Sequence, residues 1–113
     1  MFDLTKQVIE QAHEAGFRVL VADNGKGDYG VVENSEGLVV SFWPGSFGGM
    51  NFASCWKSDH PGRNGQGGLI RENIFRFNIK EIFKNCTMFE GCSPKTLQEH
   101  LKLYQQSSKY KEV

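Results

Sequence analysis

Residues 17–56 read FRVLVADNGKGDYGVVENSEGLVVSFWPGSFGGMNFASCW, and within them short β-rich segments alternate with turn-forming residues. The segments with strand character are 17–22, 29–33, 38–42 and 50–56. Asp23-Asn24-Gly25 ends the first segment, and residues 34–37, Asn-Ser-Glu-Gly, tolerate the left-handed backbone that a tight hairpin requires. Pro44-Gly45 matches the centre of a type II turn. This order predicts consecutive antiparallel strands, each joined to the next by a turn.

The N-terminal segment has the periodicity of a helix. Asp3 stands where a helix N-cap is expected, and Val8 and Ala12 recur at the spacing of one helical face. Gly16 supplies a residue that readily adopts the left-handed conformation in which helices end. We therefore expect a helix over residues 3–15 that packs on the sheet.

The region that follows residue 69 predicts one more strand and a short helix. The alternation in Phe75-Arg76-Phe77 favours a fifth strand over residues 70–77. Asn78, with Glu81 three residues later, matches a helix N-cap and its capping glutamate. A helix is therefore expected over residues 79–86.

A last helix is expected to begin at Ser93-Pro94 or at Thr96, and the polar residues 105–113 are expected to fray. The apolar residues on one face of that helix are Leu97, Leu101 and Tyr104. The fold class is α+β, with an N-terminal helix, an antiparallel four- to five-stranded meander sheet and two C-terminal helices. Residues 1–113 are expected to form one such domain.

The composition is that of a folded, non-membrane protein. Of the 113 residues, 39% are hydrophobic and 23% are charged, which favours a packed core over a disordered chain. No segment approaches the length of a membrane span or resembles a signal peptide, so a soluble, cytoplasmic protein is expected. Three cysteines, Cys55, Cys86 and Cys92, fit reduced thiols, with a Cys86–Cys92 disulfide as the alternative.

Charge is balanced overall and divided along the chain. Thirteen Lys and Arg residues match thirteen Asp and Glu residues. Residues 1–60 hold four basic and eight acidic side chains, whereas residues 61–113 hold nine and five, so the halves carry −4 and +4. Solvated surface charge explains this division most simply, and steering of a partner is the alternative.

Two glycine-rich strings resemble nucleotide-binding motifs only in part. Gly25-Lys-Gly-Asp-Tyr-Gly30 has G-x-G-x-x-G spacing, but strand-forming valines follow it in place of the helix that a dinucleotide site needs. The residues of a kinase catalytic loop are also missing. Residues 62–68 lack the Lys-Ser/Thr ending of a P-loop. We interpret the first string as a hairpin turn and the second as a connector, and we predict no cofactor.

Catalytic and metal-binding patterns are weak. Cys55 and His60 offer a thiol and a base, but no nucleophile motif surrounds them. The spacing Cys86-x5-Cys92-x7-His100 lacks the close pairs of zinc sites. No catalytic residue and no metal ligand is predicted. The acidic residues in or near predicted turns are Asp23, Asp28, Glu33 and Glu36, and turn formation explains them.

The strongest functional indication lies between Trp43 and Gly68. This segment holds both tryptophans, two phenylalanines and seven of the thirteen glycines. Phe52 and Trp56 share one strand face and are expected in the core, which leaves Trp43 and Phe47 as the expected exposed pair. A twelve-residue connector follows from position 57, longer than usual in a compact domain. The predicted partner-binding residues are Trp43, Phe47, Lys57, His60, Arg63, Asn64 and Arg71.

These features favour a small non-enzymatic protein-interaction module, an adaptor or inhibitor of the accessory type common in bacteria, phages and plasmids. The expected partner is another protein. The alternative is a single-stranded nucleic-acid-binding protein, in which aromatic rings stack on bases and Lys57, Arg63, Arg71 and Arg76 contact phosphates. A weaker alternative is a small enzyme that uses Cys55 and His60.

Overall fold

The computed structural model describes residues 3–22, 28–36, 38–54, 69–85 and 110–113. Its elements are α1 (Asp3–Glu14), β1 (Arg18–Ala22), β2 (Gly30–Glu33), β3 (Val39–Pro44), β4 (Met50–Ser54), β5 (Leu69–Ile74), α2 (Ile79–Lys84) and β6 (Tyr110–Glu112). The strands form one six-stranded sheet in the order β5-β4-β3-β2-β1-β6. Every neighbouring pair is antiparallel. The predicted α+β class and the meander of β1 to β5 are confirmed.

The C-terminal residues correct the sequence-based expectation. Residues 110–112 form β6, which pairs with β1, so the sheet has six strands rather than four or five, and this part of the tail does not fray. Val113 continues the pairing, since its N–H donates to the Val19 carbonyl at 3.0 Å. Tyr110 also meets the ring of Tyr29 edge to face, with centroids 6.2 Å apart. A polar sequence can form such a strand because an edge strand needs little apolar surface.

The ends of both described helices follow from local residues. Gly16 has φ 77°, and the Phe17 N–H donates to the Ala12 carbonyl at 2.8 Å, which ends α1 as predicted. Asn78 caps α2, since its side chain accepts from the Lys80 N–H at 2.9 Å. The expectation of two C-terminal helices is not borne out: α2 is the one C-terminal helix of the described ranges. The second was predicted from residues 93–104, which lie outside those ranges.

Helices α1 and α2 cover one face of the sheet. The buried cluster on this face comprises Leu4, Val8, Ala12, Val19, Val21, Val32, Val40, Phe42, Met50, Phe52, Ile79, Ile82 and Phe83. Gln11 joins the helices, because its Nε2 donates to the Phe77 carbonyl at 3.0 Å and its Oε1 accepts from the Ile79 N–H at 2.9 Å. This contact satisfies one of the free N–H groups at the start of α2.

The opposite face of the sheet is apolar and buried as well. Its cluster contains Leu20, Val31 and Val39. Gly30 allows β1 and β2 to approach closely, since a Cβ atom there would lie 1.9 Å from the Leu20 carbonyl oxygen. Neither α1 nor α2 has the length and apolarity needed to cross a membrane.

Candidate functional site: an exposed aromatic corner

The turn between β3 and β4 is built around Phe47. The Gly48 N–H donates to the Gly45 carbonyl at 3.3 Å, so Ser46 and Phe47 occupy the central positions. Pro44 is the last residue of β3, and the prediction of a type II turn centred on Pro44-Gly45 is therefore wrong. A second bond, from the Gly45 N–H to the Gly49 carbonyl at 2.7 Å, closes the base of the turn.

Asn73 of β5 braces this turn from the side. Its Oδ1 accepts hydrogen bonds from the backbone N–H groups of Phe47, at 3.3 Å, and Gly49, at 3.1 Å. Its own N–H donates to Asn51 Oδ1. Asn73 has φ 48°, a left-handed conformation that asparagine tolerates better than most residues. The side chain of one strand thereby fixes the backbone of the turn between two others.

The close fit of this brace requires glycine on both sides of the turn. A Cβ atom at Gly45 would lie 2.0 Å from Asn73 Oδ1, and one at Gly49 would lie 2.5 Å from the Asn73 carbonyl carbon. Either methyl group would displace Asn73 or the turn. The glycines that surround Phe47 thus serve close packing of backbone rather than mobility of the turn.

Two phenylalanine rings project from this region. Phe47 is 83% exposed and Phe75, which follows β5, is 58% exposed. The Phe75 ring lies beside the turn, because a Cβ atom at Gly48 would stand 3.6 Å from its Cε1. We call Phe47, Phe75 and the turn 45–49 the aromatic corner. In the described ranges, the remaining exposed large apolar side chain is Val113, at 37%.

Phe75 was not among the predicted partner-binding residues. The alternation of Phe75 and Phe77 placed both on one strand face, but β5 ends at Ile74 and residues 75–76 bend. Phe77 packs against Phe52, with ring centroids 5.0 Å apart, while Phe75 points away from the core. The nearest sequence signal is Asn73, a residue that disfavours strand continuation.

The tryptophan and phenylalanine predictions have different outcomes. Phe47 is exposed and Phe52 is fully buried, as expected. Trp43 is half-buried near the end of β3, opposite Asn51 of β4. It is therefore a partly covered neighbour of the turn rather than a free anchor. Trp56, the second expected core residue, lies outside the described residues.

Of the charged and polar partner-binding residues, the structure describes Arg71. Its side chain is exposed on β5, in register with Phe52. Arg76 is also exposed and follows Phe75 directly. Lys57, His60, Arg63 and Asn64 lie outside the described residues, as do Cys55, Cys86 and Cys92. Of the predicted partner-binding residues, the structure therefore describes Trp43, Phe47 and Arg71.

An ion cluster lies elsewhere, where β2, β1 and β6 adjoin. Arg18 Nη1 is 3.4 Å from Glu33 Oε1, and Arg18 Nη2 is 2.9 Å from Glu112 Oε1. Burial raises the pKa of the Glu33 carboxyl above its ordinary value, and Arg18 opposes that shift. The paired Arg18 and Glu112 are about half exposed. This cluster joins three strands and explains Glu33 as a structural group.

The aromatic corner is an apolar surface. It offers two apolar rings on a backbone that Asn73 braces, with Arg76 next to Phe75 in sequence. Phe47, Phe75 and the turn 45–49 include no titratable side chain. Among the described ranges, no group of three His, Cys, Asp or Glu side chains is placed to hold a metal ion. Comparison with known proteins finds no matching family, no matching curated protein and no matching solved structure.

Proposed function

We propose that this protein is a non-enzymatic interaction module that docks on another protein through the aromatic corner. The observation that carries the proposal is the exposure of Phe47, 83%, on a turn braced by Asn73. Burial of a large exposed ring against a partner is favourable, because it removes apolar surface from water. An adaptor or an inhibitor would each use such a surface.

The two rings supply a sizeable apolar contribution. Burial of a phenylalanine side chain is worth roughly 1.5–3 kcal/mol relative to exposure. Most of this free energy of burial is still available at Phe47 and Phe75, because both side chains are more than half exposed. Aromatic rings near the centre of an interface often dominate its affinity, while flanking contacts exclude water. Phe47 is the expected anchor and Phe75 its neighbour.

Preorganisation strengthens the proposal. Binding costs free energy when loops and side chains must be ordered. The hydrogen bonds from Phe47 and Gly49 to Asn73 fix the turn before any partner arrives. A phenylalanine also has few rotatable bonds, so its ring loses little entropy on docking. The aromatic corner therefore loses little conformational entropy when it binds a partner.

The flanking residues complete the proposed surface. Trp43, half-buried, and the exposed Arg71 and Arg76 would lie toward its rim. Arginine is favoured at interfaces because its planar guanidinium forms several hydrogen bonds. Lys57, His60, Arg63 and Asn64 belong to the proposal on the basis of sequence. A cytoplasmic setting is part of the same proposal.

Affinity capture from cells that express the protein naturally tests this function. The baits are the wild-type chain, a Phe47→Ser/Phe75→Ser double variant and a Gln7→Ser control on the exposed side of α1. Proteins retained by wild type and control, and lost with the double variant, are the expected result. Equal retention by all three baits would remove the proposal. Nuclease-sensitive retention of nucleic acid in place of protein would favour the alternative function.

A further inference from the structure

The two edges of the sheet differ in their suitability for strand addition. At the edge strand β5, Asn73 interrupts the extended backbone with φ 48°. The pairing of β5 with β4 is also irregular, since its register shifts twice. Exposed Arg71 and Glu72 add charge to that edge. Such features discourage pairing with another chain. The opposite edge strand is β6, which covers the regular strand β1.

The contacts of β6 are specific to its sequence. Glu112 forms its ion pair with Arg18, and Tyr110 packs on Tyr29. The Val113 carbonyl oxygen lies 3.0 Å from Nε2 of His13 on α1. Main-chain pairing over three residues of β1 sets the register. The surface beside β1 therefore recognises residues 110–113 through backbone, charge and aromatic contacts together.

Chain length permits the same contacts between two molecules. The 25 residues 85–109 separate α2 from β6 in sequence. A chain of that length can span up to about 80 Å when extended, whereas the longest principal extent of the molecule is 33 Å. Each contact of residues 110–113 described above joins them to α1, to β1 or to Tyr29, which directly precedes β2. All of these contacts would form equally well with α1, β1 and Tyr29 of a second copy.

We propose that β6 exchanges between two copies of this chain, which gives a symmetric dimer. In that dimer, residues 110–112 of each copy pair with β1 of the other, in the register seen within one molecule. Exchange of an identical element is a low-cost route to dimers, because it creates and loses the same contacts. This proposal is independent of the aromatic corner.

Disulfide trapping tests the exchange with full-length chains. Val21 and Lys111 are register partners in β1 and β6. In a background where Cys55, Cys86 and Cys92 are replaced by alanine, one chain carries Val21→Cys and a second carries Lys111→Cys. A disulfide between the introduced thiols can then form only between molecules. Its yield should be several-fold higher at about 1 mM chain than at about 10 µM, as mass action requires.

The double variant Val21→Cys/Lys111→Cys is the matched control, and its intrachain disulfide at low concentration verifies the register. No covalent heterodimer from the mixed single variants at high concentration, with the control oxidised normally, would overturn the proposal. A control that does not form the intrachain disulfide would also overturn it, because the register would then be wrong.

Charge reversal supplies a second, independent measurement. Mixed Arg18→Glu and Glu112→Arg chains regain complementary charges only when β6 is exchanged. Native mass spectrometry should show their heterodimer in excess over either homodimer. A purely monomeric mixture would contradict strand exchange.

Discussion

The Oδ1 atom of Asn73 lies 3.3 Å from the backbone nitrogen of Phe47, so a side chain of an edge strand positions an exposed aromatic ring. The brace and the ring have separate consequences. Asn73 stabilises the folded turn, whereas the Phe47 ring, 83% exposed, contributes little to folding. Substitutions at the two positions should therefore affect different measurements.

Asn73→Ala should lower the free energy of unfolding by about 1–3 kcal/mol. The substitution removes the acceptor of two backbone N–H groups and places alanine at φ 48°. Asn73→Asp, which keeps an acceptor and tolerates this conformation, should be milder. Amide hydrogen exchange at Phe47 and Gly49 should accelerate more in the alanine variant than in the aspartate variant. Equal exchange in the two variants would contradict the brace.

Phe47→Ser and Phe75→Ser should each change the free energy of unfolding by less than about 0.5 kcal/mol, since exposed positions contribute little to folding. Phe52→Ala is the matched core substitution, because this ring is fully buried. It should cost about 3–5 kcal/mol. Urea denaturation of the three variants measures the contrast. A large loss at Phe47 would show that its ring is part of the core.

Gln11→Ala should destabilise the protein by roughly 1–2 kcal/mol, because the Ile79 N–H and the Phe77 carbonyl each lose a hydrogen-bond partner. Gln7→Ala, on the exposed side of the same helix, is the control and should have almost no effect. Thermal unfolding of both variants suffices for the comparison. Similar melting temperatures would mean that Gln11 does not join the helices.

Glu33→Gln should alter the pH dependence of stability. Burial raises the pKa of Glu33 in the folded protein above its ordinary value of 4.5, so the folded state binds more protons than the unfolded state in the window above that value. The contribution of Glu33 to stability is therefore fully present below pH 4.5 and is lost as pH rises through the folded-state pKa. The wild type should lose stability relative to Glu33→Gln across that window.

Denaturation at a series of pH values, with Glu10→Gln on the exposed face of α1 as the control for loss of one carboxylate, tests this expectation. A constant stability difference between wild type and Glu33→Gln would show that burial does not perturb Glu33.

Local sequence patterns predicted most of the fold. Two-residue alternation indicated β1 and β4, and β-rich segments between turn residues indicated β2 and β3. The fifth strand was predicted over residues 70–77 from the alternation in Phe75-Arg76-Phe77, but β5 (Leu69–Ile74) ends before those residues, so its position was only partly predicted. Gly16 and Asn78 marked helix ends, Gly16 through its left-handed backbone and Asn78 through its capping side chain. No pattern in the sequence predicted β6. Its residues are mainly exposed, and its pairing with β1 depends on contacts more than eighty positions away in sequence.

The candidate site was predictable only in part. Proximity to glycines indicated exposure of Phe47, since a turn residue rarely reaches the core. The exposure of Phe75 depends on where β5 ends, which follows from the bond between Asn73 and the distant turn. The partial burial of Trp43 likewise depends on tertiary packing. Sequence spacing carries no information on such contacts.

The affinity of a captured partner protein for purified wild-type and Phe47→Ser chains, measured by titration calorimetry, tests the docking proposal most directly. The account predicts at least a roughly tenfold weaker affinity for Phe47→Ser, as for an interface anchor, with the Gln7→Ser control unchanged. An equal affinity of wild type and Phe47→Ser would contradict the proposal that the aromatic corner is the docking surface.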